Sequence, residues 1–358
     1  MLIGLTYNLK PTGAEGDQFE EFDSVETIEA LESAIRAAGH EPIRLGWGLE
    51  MLEALGRERV DGVFNIAEGV GGRGRESQVP AVLEMLGIPC TGSDALSIAL
   101  TLDKALAKVI AKSAGIATAA WEVVAPHPAF GHLLPGSGTK DLDFSTASNT
   151  EAPTNRAPLA PPQAGRGRHE AKRSAGEGHD LKTFPLFAKP AAEGSSMGIT
   201  ESSLCRDQRQ LDAAIERLSK YGPVLIEEFL PGDEFTIGII GGEVLGVMQV
   251  IPRGGDKDFI YSLDVKRDYL NRVDYCLVDV PDVASLAKNV WRAFNLRDVA
   301  RIDVRRDRNG VANFVEVNPL PGVHPVNSDL VILARLAGIS HEQLIGRIID
   351  AAIKRWNA

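Results

Sequence analysis

The sequence predicts an α/β protein of two or three domains that opens on a parallel sheet with helices on both faces. Three observations carry that prediction. Short apolar strands alternate with amphipathic helices through roughly the first hundred residues, the pattern that builds a parallel sheet. A tract rich in Pro, Ser, Thr, Gly and Ala, from Ala125 to about Lys182, then interrupts all periodicity. Beyond it, apolar strands and a hairpin dominate a second structured half. A chain of 358 residues, at about 150 per domain, has room for two or three such units.

The elements follow in order. LIGLTY is a buried strand, and Ser24 to Ala38 is a helix with apolar residues at Ile28, Leu31 and Ile35, stopped by Gly39. EPIRL, VDGVFNI and GIPCTG read as further strands, with the helix SQVPAVLEMLG before the last. Leu102 to Ala114 reads as a helix whose apolar face is Leu102, Leu106, Val109 and Ile110, with Gly115 as its stop. Structure resumes after the polar tract at FPLFAKP, a strand that Pro190 ends. A Gly/Ser loop and the helix Asp207 to Leu218 come next. VLIEEFL, EFTIGII and VLGVMQVI are strands, Val283 to Phe294 is a helix, RIDVRRDRNGVANFVEVN is a hairpin, and Ser340 to Trp356 closes as an amphipathic helix.

Composition excludes several functions. The hydrophobic fraction of 44% supports full-sized cores. A net charge of −11 and a pI near 5.2 argue against an extended nucleic-acid or anionic-membrane surface. Cys90, Cys205 and Cys276 are widely spaced without CxxC pairing, so neither a disulfide framework nor a structural zinc site is expected. MLIGLTYNLK lacks the basic start and cleavage site of a signal peptide. The most apolar stretch, Phe235 to Ile251, is broken by Glu243 and glycines and does not span a membrane. The expectation is a soluble cytoplasmic protein whose partners are small molecules; its oligomeric state, a homodimer included, is not legible.

The strongest chemical signal is the hairpin. Asn309-Gly310 suits a two-residue type I′ turn, which fixes the register. Asp303 then faces Glu316, Arg301 faces Asn318, Ile302 faces Val317 and Val304 faces Val315, leaving one face apolar. Two carboxylates placed opposite each other repel unless a positive charge sits between them. A hard divalent cation such as Mg²⁺ suits that pair, with the Asn318 carbonyl beside it; a solvated polar face with Arg301 as counter-ion is the plain alternative. FAKP followed by EGSSMG sets a lysine beside a Gly/Ser loop able to surround phosphate oxygens. VLIEEFLPGDEF runs a strand into a Pro-Gly turn, offering backbone groups to a flat ring and carboxylates to ribose hydroxyls.

Two other motifs compete. Gly69, Gly71 and Gly74, with Asp94 beyond them, spell a dinucleotide fingerprint. That fingerprint belongs on the first strand of a nucleotide-binding unit, which here is LIGLTY. Gly194-Ser195-Ser196-Met197-Gly198 spells a hydrolase elbow, with His324 or His341 as a base. Its flanks look extended, whereas an elbow needs a strand-to-helix turn.

In combination these segments resemble the ATP-grasp superfamily and, within it, the D-alanine–D-alanine ligases. VFNIAEGVGGRGRESQVPAVLEMLGIPCTGSDALSIALTLDKALAK is similar to that family's N-terminal domain and first ATP-lysine helix. FPLFAKPAAEGSSMGI is similar to its second lysine and phosphate-covering loop, VLIEEFLPGDEFTIGIIG to its adenine hinge, and ARIDVRRDRNGVANFVEVNPLPG to its metal hairpin and substrate loop. The resemblance implies a three-part architecture: 1–100 a parallel α/β substrate domain, 101–222 a central ATP-grasp subdomain carrying a flexible insertion over about 127–181, and 223–358 a C-terminal subdomain with the metal site. It implies that Lys104 and Lys189 hold ATP phosphates under a loop containing Glu193, Ser195 and Ser196. Glu227, Glu228, Phe229 and Leu230 would form the adenine hinge, and Glu234 would bind ribose. Asp303, Glu316 and Asn318 would hold two Mg²⁺ ions, with Mn²⁺ as a substitute. Arg301 and Ser195, with Lys266 and Arg267 of the mobile loop, would serve catalysis. Glu20 or Glu21, Gly322, Asn327 and Ser328 would bind substrate.

The implied activity is ADP-forming ligation of a carboxylate to an amine through an acyl phosphate, with D-alanine as donor and acceptor. A ligase joining other amino acids or peptides is the second reading, and a serine hydrolase using Ser196 the reading from another class. The chain departs from the family at Arg267, where a tyrosine follows the loop lysine, at DQFEEFDS, and at NPLPGVHPVNSD. An arginine offers a planar fork of donors, so Arg267 is expected to grip a substrate carboxylate or the ATP phosphates.

Overall fold

Three sheets, each closed by its own apolar residues, organise the chain. The computed structural model describes residues 1–11, 13, 19–124, 173–175, 181, 183–255 and 258–358. The first sheet is parallel, in the order β2-β1-β3, from β1 (Leu2–Thr6), β2 (Glu41–Gly46) and β3 (Gly62–Asn65). Helices α1 (Val25–Ala37), α2 (Gly48–Arg57), α3 (Gln78–Leu86) and α4 (Ala95–Leu102) flank it. α1 starts where the Ser24 hydroxyl accepts from the Thr27 amide, and it buries Ile28, Leu31, Ala34 and Ile35 at helical spacing. The strand expected at GIPCTG is reduced to a single parallel bridge between Val63 and Cys90, in which the Val63 amide donates to the Pro89 carbonyl and the Thr91 amide to the Val63 carbonyl, each at 2.8 Å.

The middle of the chain supplies α5 (Lys104–Ser113), β4 (Trp121–Val124), β5 (Arg173–Ala175), β6 (Leu186–Pro190), β7 (Leu204–Cys205), α6 (Gln208–Leu218) and β8 (Val224–Glu228). Its strands form an antiparallel sheet in the order β5-β4-β8-β6-β7. The expectation of a structureless insertion over 127–181 falls largely outside the described residues. Within it, Arg173–Ala175 pairs with β4 as a short strand, so that part of the expectation is corrected.

The last part holds β9 (Glu234–Ile240), β10 (Glu243–Pro252), α7 (Leu263–Arg267), α8 (Tyr269–Arg272), β11 (Val273–Val278), α9 (Pro281–Ala293), β12 (Val299–Arg306), β13 (Ala312–Asn318), α10 (Asp329–Leu336) and α11 (His341–Trp356). Its sheet is antiparallel in the order β11-β10-β9-β12-β13. α10 and α11 bury Leu330, Leu344, Ile345 and Ile348 with Ile3, Leu5 and Ile28. The C-terminal helices thereby finish the core of the first sheet. None of the described helices is long and apolar enough to cross a membrane.

Two expectations change in instructive ways. The helix read across Leu102 to Ala114 forms as α5 but starts at Lys104, because Leu102 ends α4 and the Asp103 carboxylate caps α5 by accepting from the Ala105 and Leu106 amides. Its inward face is also rotated, although Leu102 is buried and Ile110 packs against the core. Lys104, Ala107, Lys108 and Ala111 are buried, while Leu106 is 41% and Val109 52% exposed.

In the hairpin, the expected pairs of Arg301 with Asn318, Ile302 with Val317 and Asp303 with Glu316 all form, but Val304 pairs with Phe314. The turn is a three-residue loop, Arg308 to Gly310, closed by Asp307, whose side chain accepts from the Asn309 and Val311 amides. This shifts the register by one, and a bulge at Val315 shifts it back. Phe314 takes the core position expected of Val315, and Val315 turns to a cavity wall.

Candidate active site

Two adjoining cavities lie among the sheets, and Tyr261, Lys266 and Glu316 line both. The smaller is walled by Lys189, Ser196, Glu227, Glu228, Phe229, Leu230, Glu234 and Asp303. The larger, about 460 Å³, is lined by Glu20, Glu21, Lys104, Ser195, Arg267, Arg301, Asn318, Gly322, Asn327 and Ser328. All predicted site residues but one line one of the cavities. Glu193 lines neither, and meets the site through its carbonyl, which accepts from the Lys104 ammonium.

The facing carboxylates stand where the register puts them, with Arg301 as counter-ion. The guanidinium donates to Asp303 Oδ2 at 3.0 and 3.2 Å and lies 3.6 Å from Glu316 Oε1. Thr236, on the neighbouring strand, donates to Asp303 Oδ1 at 2.9 Å. Burial pushes the Asp303 carboxyl up, Arg301 opposes that, and Glu316 adds to it. Burial also acts on Glu316, but Lys104, Lys189, Arg301 and Lys266 surround it and hold it down at about 2. Two opposed carboxylates with the Asn318 side chain two residues on form an all-oxygen donor set. That set fits a hard divalent cation better than a soft one.

The two predicted lysines converge from different elements. Lys104, at the start of α5, lies 3.6 Å from Glu316 Oε2. Lys189, at the end of β6, pairs with Glu227 Oε1 at 2.7 Å. Burial disfavours the Lys189 charge, yet Glu227 and Glu316 raise its pKa above the ordinary lysine value. The Glu227 side chain is held from both sides, since Lys108 stands 2.9 Å from its other oxygen. Despite burial, the two lysines keep this carboxyl at about 2. At Glu227 the side chain is therefore engaged as well as the backbone. Glu234 pairs with Arg305 at 3.3 Å.

Ser195 and Ser196 both adopt left-handed backbone, at φ of 47° and 58°, a strained conformation for non-glycine residues and one concentrated at functional loops. Gly194 beside them stands close to Glu21, whose Oε1 would lie 2.3 Å from a Cβ there and would have to move aside. The Ser196 hydroxyl donates to the Tyr261 carbonyl at 3.4 Å. His324 faces Glu26 and His341 faces the Val323 carbonyl. Neither histidine serves Ser196, so the hydrolase elbow does not form. The Gly69–Gly74 loop is likewise no dinucleotide cradle: it carries Glu68 and leads into Arg75 and Glu76, and Asp94 caps α4.

Arg267, expected to grip a substrate carboxylate or the ATP phosphates, lines the larger cavity and pairs within the chain. Its guanidinium donates to Glu20 Oε1 at 2.6 Å, so it holds the chain's own carboxylate. Glu21 is gripped by Arg75 at 2.9 and 3.0 Å. Sequence reasoning missed Lys108, Arg75, Glu68, Glu76, Tyr261 and Asp329. The Glu21, Glu68 and Glu76 carboxylates lie within 4.8 Å of one another. Burial, only partly offset by Arg75, raises Glu76 to about 7. The Tyr261 hydroxyl donates to Asp329 Oδ1 at 2.8 Å, while Lys266 and Arg301 lie 3.9 and 3.8 Å from the other oxygen. One signal was available: Lys108 stands one turn after Lys104, so both share a helix face.

A lysine-and-carboxylate cleft between two antiparallel sheets, beside a parallel α/β unit, is the ATP-grasp fold. The structure superposes on the D-alanine–D-alanine ligase of Bacillus anthracis complexed with ATP with a TM-score of 0.67 at 19% identity, covering 100% of this chain and 99% of that one. A family profile described as the D-ala D-ala ligase C-terminus matches residues 162–350, more than half of the chain. The D-alanine–D-alanine ligase of Aquifex aeolicus is 30% identical over 331 residues, covering 91% of this chain and 94% of the relative. That of Xanthomonas axonopodis pv. citri is 29% identical over 324 residues, covering 89% and 87%. The chain belongs to the D-alanine–D-alanine ligase family.

Proposed function

We propose that this protein is an ATP-dependent, ADP-forming ligase that joins a carboxylate to an amine through an acyl phosphate, with D-alanine as donor and acceptor, as in the peptidoglycan precursor. The observation that carries the reading is the meeting of the two cavities at Lys266 and Glu316, beside Arg301 and Asp303. A phosphoryl group passing from a nucleotide in one to a carboxylate in the other would cross that point.

Lys189 and Lys104 would hold the phosphates as point charges. The strand end at Glu228 to Leu230 would offer backbone groups to the adenine, and Glu234, paired with Arg305, would meet the ribose. Asp303, Glu316 and Asn318 would hold divalent cations, which would supply positive charge against the phosphates. Arg301 would stabilise the charge on the transferring group from the substrate side and Lys266 from the loop. The donor carboxylate oxygen attacks the γ-phosphorus, and the bond to the bridging oxygen breaks to release ADP. The acceptor nitrogen then attacks the carbonyl, loses a proton and expels phosphate. Glu20 and Glu21 stand near the entrance to orient amino groups, and Gly322 and Ser328 line the acyl pocket. The division into 1–100, 101–222 and 223–358 is proposed with it.

The test is ADP release with D-alanine and Mg²⁺–ATP, with the dipeptide identified by mass. Absence of ATP-dependent phosphate release across a panel of amino acids would rule the ligase out. A second reading, ligation of other amino acids, is favoured by Asp329. Its carboxylate takes up Lys266 and Arg301, two cations that an acceptor's carboxylate would otherwise meet. The same panel separates the two.

A further inference from the structure

Lys108 is 1% exposed and lines neither cavity. Its ammonium lies 2.9 Å from Glu227 Oε2, donates to Thr118 Oγ1 at 2.8 Å, and stands 5.7 Å over the Trp121 ring. Thr118 spends its own proton on the Phe314 carbonyl at 2.8 Å, which leaves its oxygen as an acceptor for the lysine. The second oxygen of Glu227 takes Lys189 at 2.7 Å. One carboxylate therefore serves two buried ammonium groups, and only Lys189 reaches the nucleotide cavity.

The charge count decides what this does. Glu227 paired with Lys189 alone would be a closed, neutral pair that offers a phosphate little. With Lys108 sharing the carboxylate from behind, the cluster keeps one net positive charge. A net charge in a buried, low-dielectric place is costly until an anion arrives. The side open to an anion is the Lys189 side.

We propose that Lys108 is a positioning residue for nucleotide binding: by sharing Glu227 it prevents that carboxylate from neutralising Lys189, and so keeps a positive charge facing the triphosphate. The inference rests on the ATP-dependent reading above and adds a residue that touches no ligand. A purely structural role would weaken every ligand of the site alike, whereas a charge role singles out the phosphates.

Calorimetry on the full chain with Mg²⁺ present, comparing ATP with adenosine, tells these apart. Lys108→Met should cut the preference for ATP over adenosine by about tenfold, the order expected for one unit charge acting across roughly 12 Å of protein. The ATP KM should rise with kcat changed far less. The double variant Lys108→Met with Glu227→Gln removes one lysine and the carboxylate's charge together and restores the net positive count, with Lys189 facing a neutral amide in place of the carboxylate. It should regain most of the ATP preference, and it keeps the test open if the single variant folds poorly. Equal losses for ATP and adenosine in Lys108→Met, or no recovery in the double variant, overturn the inference while the nucleotide reading stands. A native protein that binds ATP no more tightly than adenosine overturns both.

Discussion

The β12–β13 hairpin and helix α5 bring charged groups to the same Glu316 carboxylate, yet the sequence described one well and turned the other part-way about its axis. In the hairpin, period-2 alternation sends Ile302, Val304 and Val317 to the core and Asp303 and Glu316 to the cleft. Backbone pairing enforces that geometry wherever the strand goes. In α5, Leu106 and Val109 point outward, Ile110 lies at the edge of the core, and two alanines and two lysines point in. A helix has no pairing partner to fix its rotation; whatever it packs against does that. Ala107 and Ala111 are small enough to lie close to Phe314 and Val290, and each inward lysine finds an acceptor, at Glu227, Thr118 or the Glu193 carbonyl. Hydrophobicity reports the buried face only where the neighbouring wall is itself apolar.

The largest test is on the hairpin. Asp303→Asn should lower turnover by orders of magnitude with little change in Tm, measured as ADP release at saturating Mg²⁺. Unchanged turnover would remove the hairpin from the site. The matching test on the helix is Ala111→Leu, which should destabilise by about 1–3 kcal/mol through overpacking, read from urea unfolding. If it is neutral, the inward face of α5 has been misplaced.

The electrostatic contrast is tested by pH. Glu316, surrounded by cations, is held at about 2, so its share of stability is present above the ordinary carboxylate range and is lost as pH falls towards 2. Glu76, buried with one shared arginine, is raised to about 7. It binds a proton in the folded state that the unfolded chain has released, so stability declines as pH rises through that window. Glu76→Gln should therefore gain Tm on the native protein between about pH 5 and 8. A constant difference over that range would refute the raised value.

Two smaller effects complete the comparison. Gly310→Ala should cost about 1–2 kcal/mol, because Gly310 sits at φ +79° while no atom crowds its Cβ position. Leu106→Ser, on the exposed side of α5, should change stability by less than about 0.5 kcal/mol. A large loss there would restore the apolar face read from the sequence.

Much of the site was legible because its residues sit in short segments with little freedom: Lys189 ends a strand, Glu227 to Glu234 bracket a Pro-Gly turn, and Asp303 and Glu316 are opposed by a register. Where the local inference erred, the errors could cancel. The two-residue turn at Asn309-Gly310 is a three-residue loop, but the bulge at Val315 returns the metal end to the expected pairing. Residues brought in from far along the chain stayed hidden. Arg75 reaches Glu21, Tyr261 reaches Asp329, and Arg267 reaches Glu20 across 247 positions. No local pattern encodes such pairings.

The sequence by itself determined the strands and their alternation, the helix starts where Ser24, Asp207 and Ser340 accept from backbone amides, and the carboxylate pair of the hairpin. Those are properties of a few neighbouring residues and their backbone. Only the tertiary structure decided which face of α5 is inside, that Lys108 stands behind Glu227, and that Arg267 is bound to Glu20. Each of those depends on which carboxylate lies across the cleft, and burial makes a charge go to its partner wherever the fold has placed it.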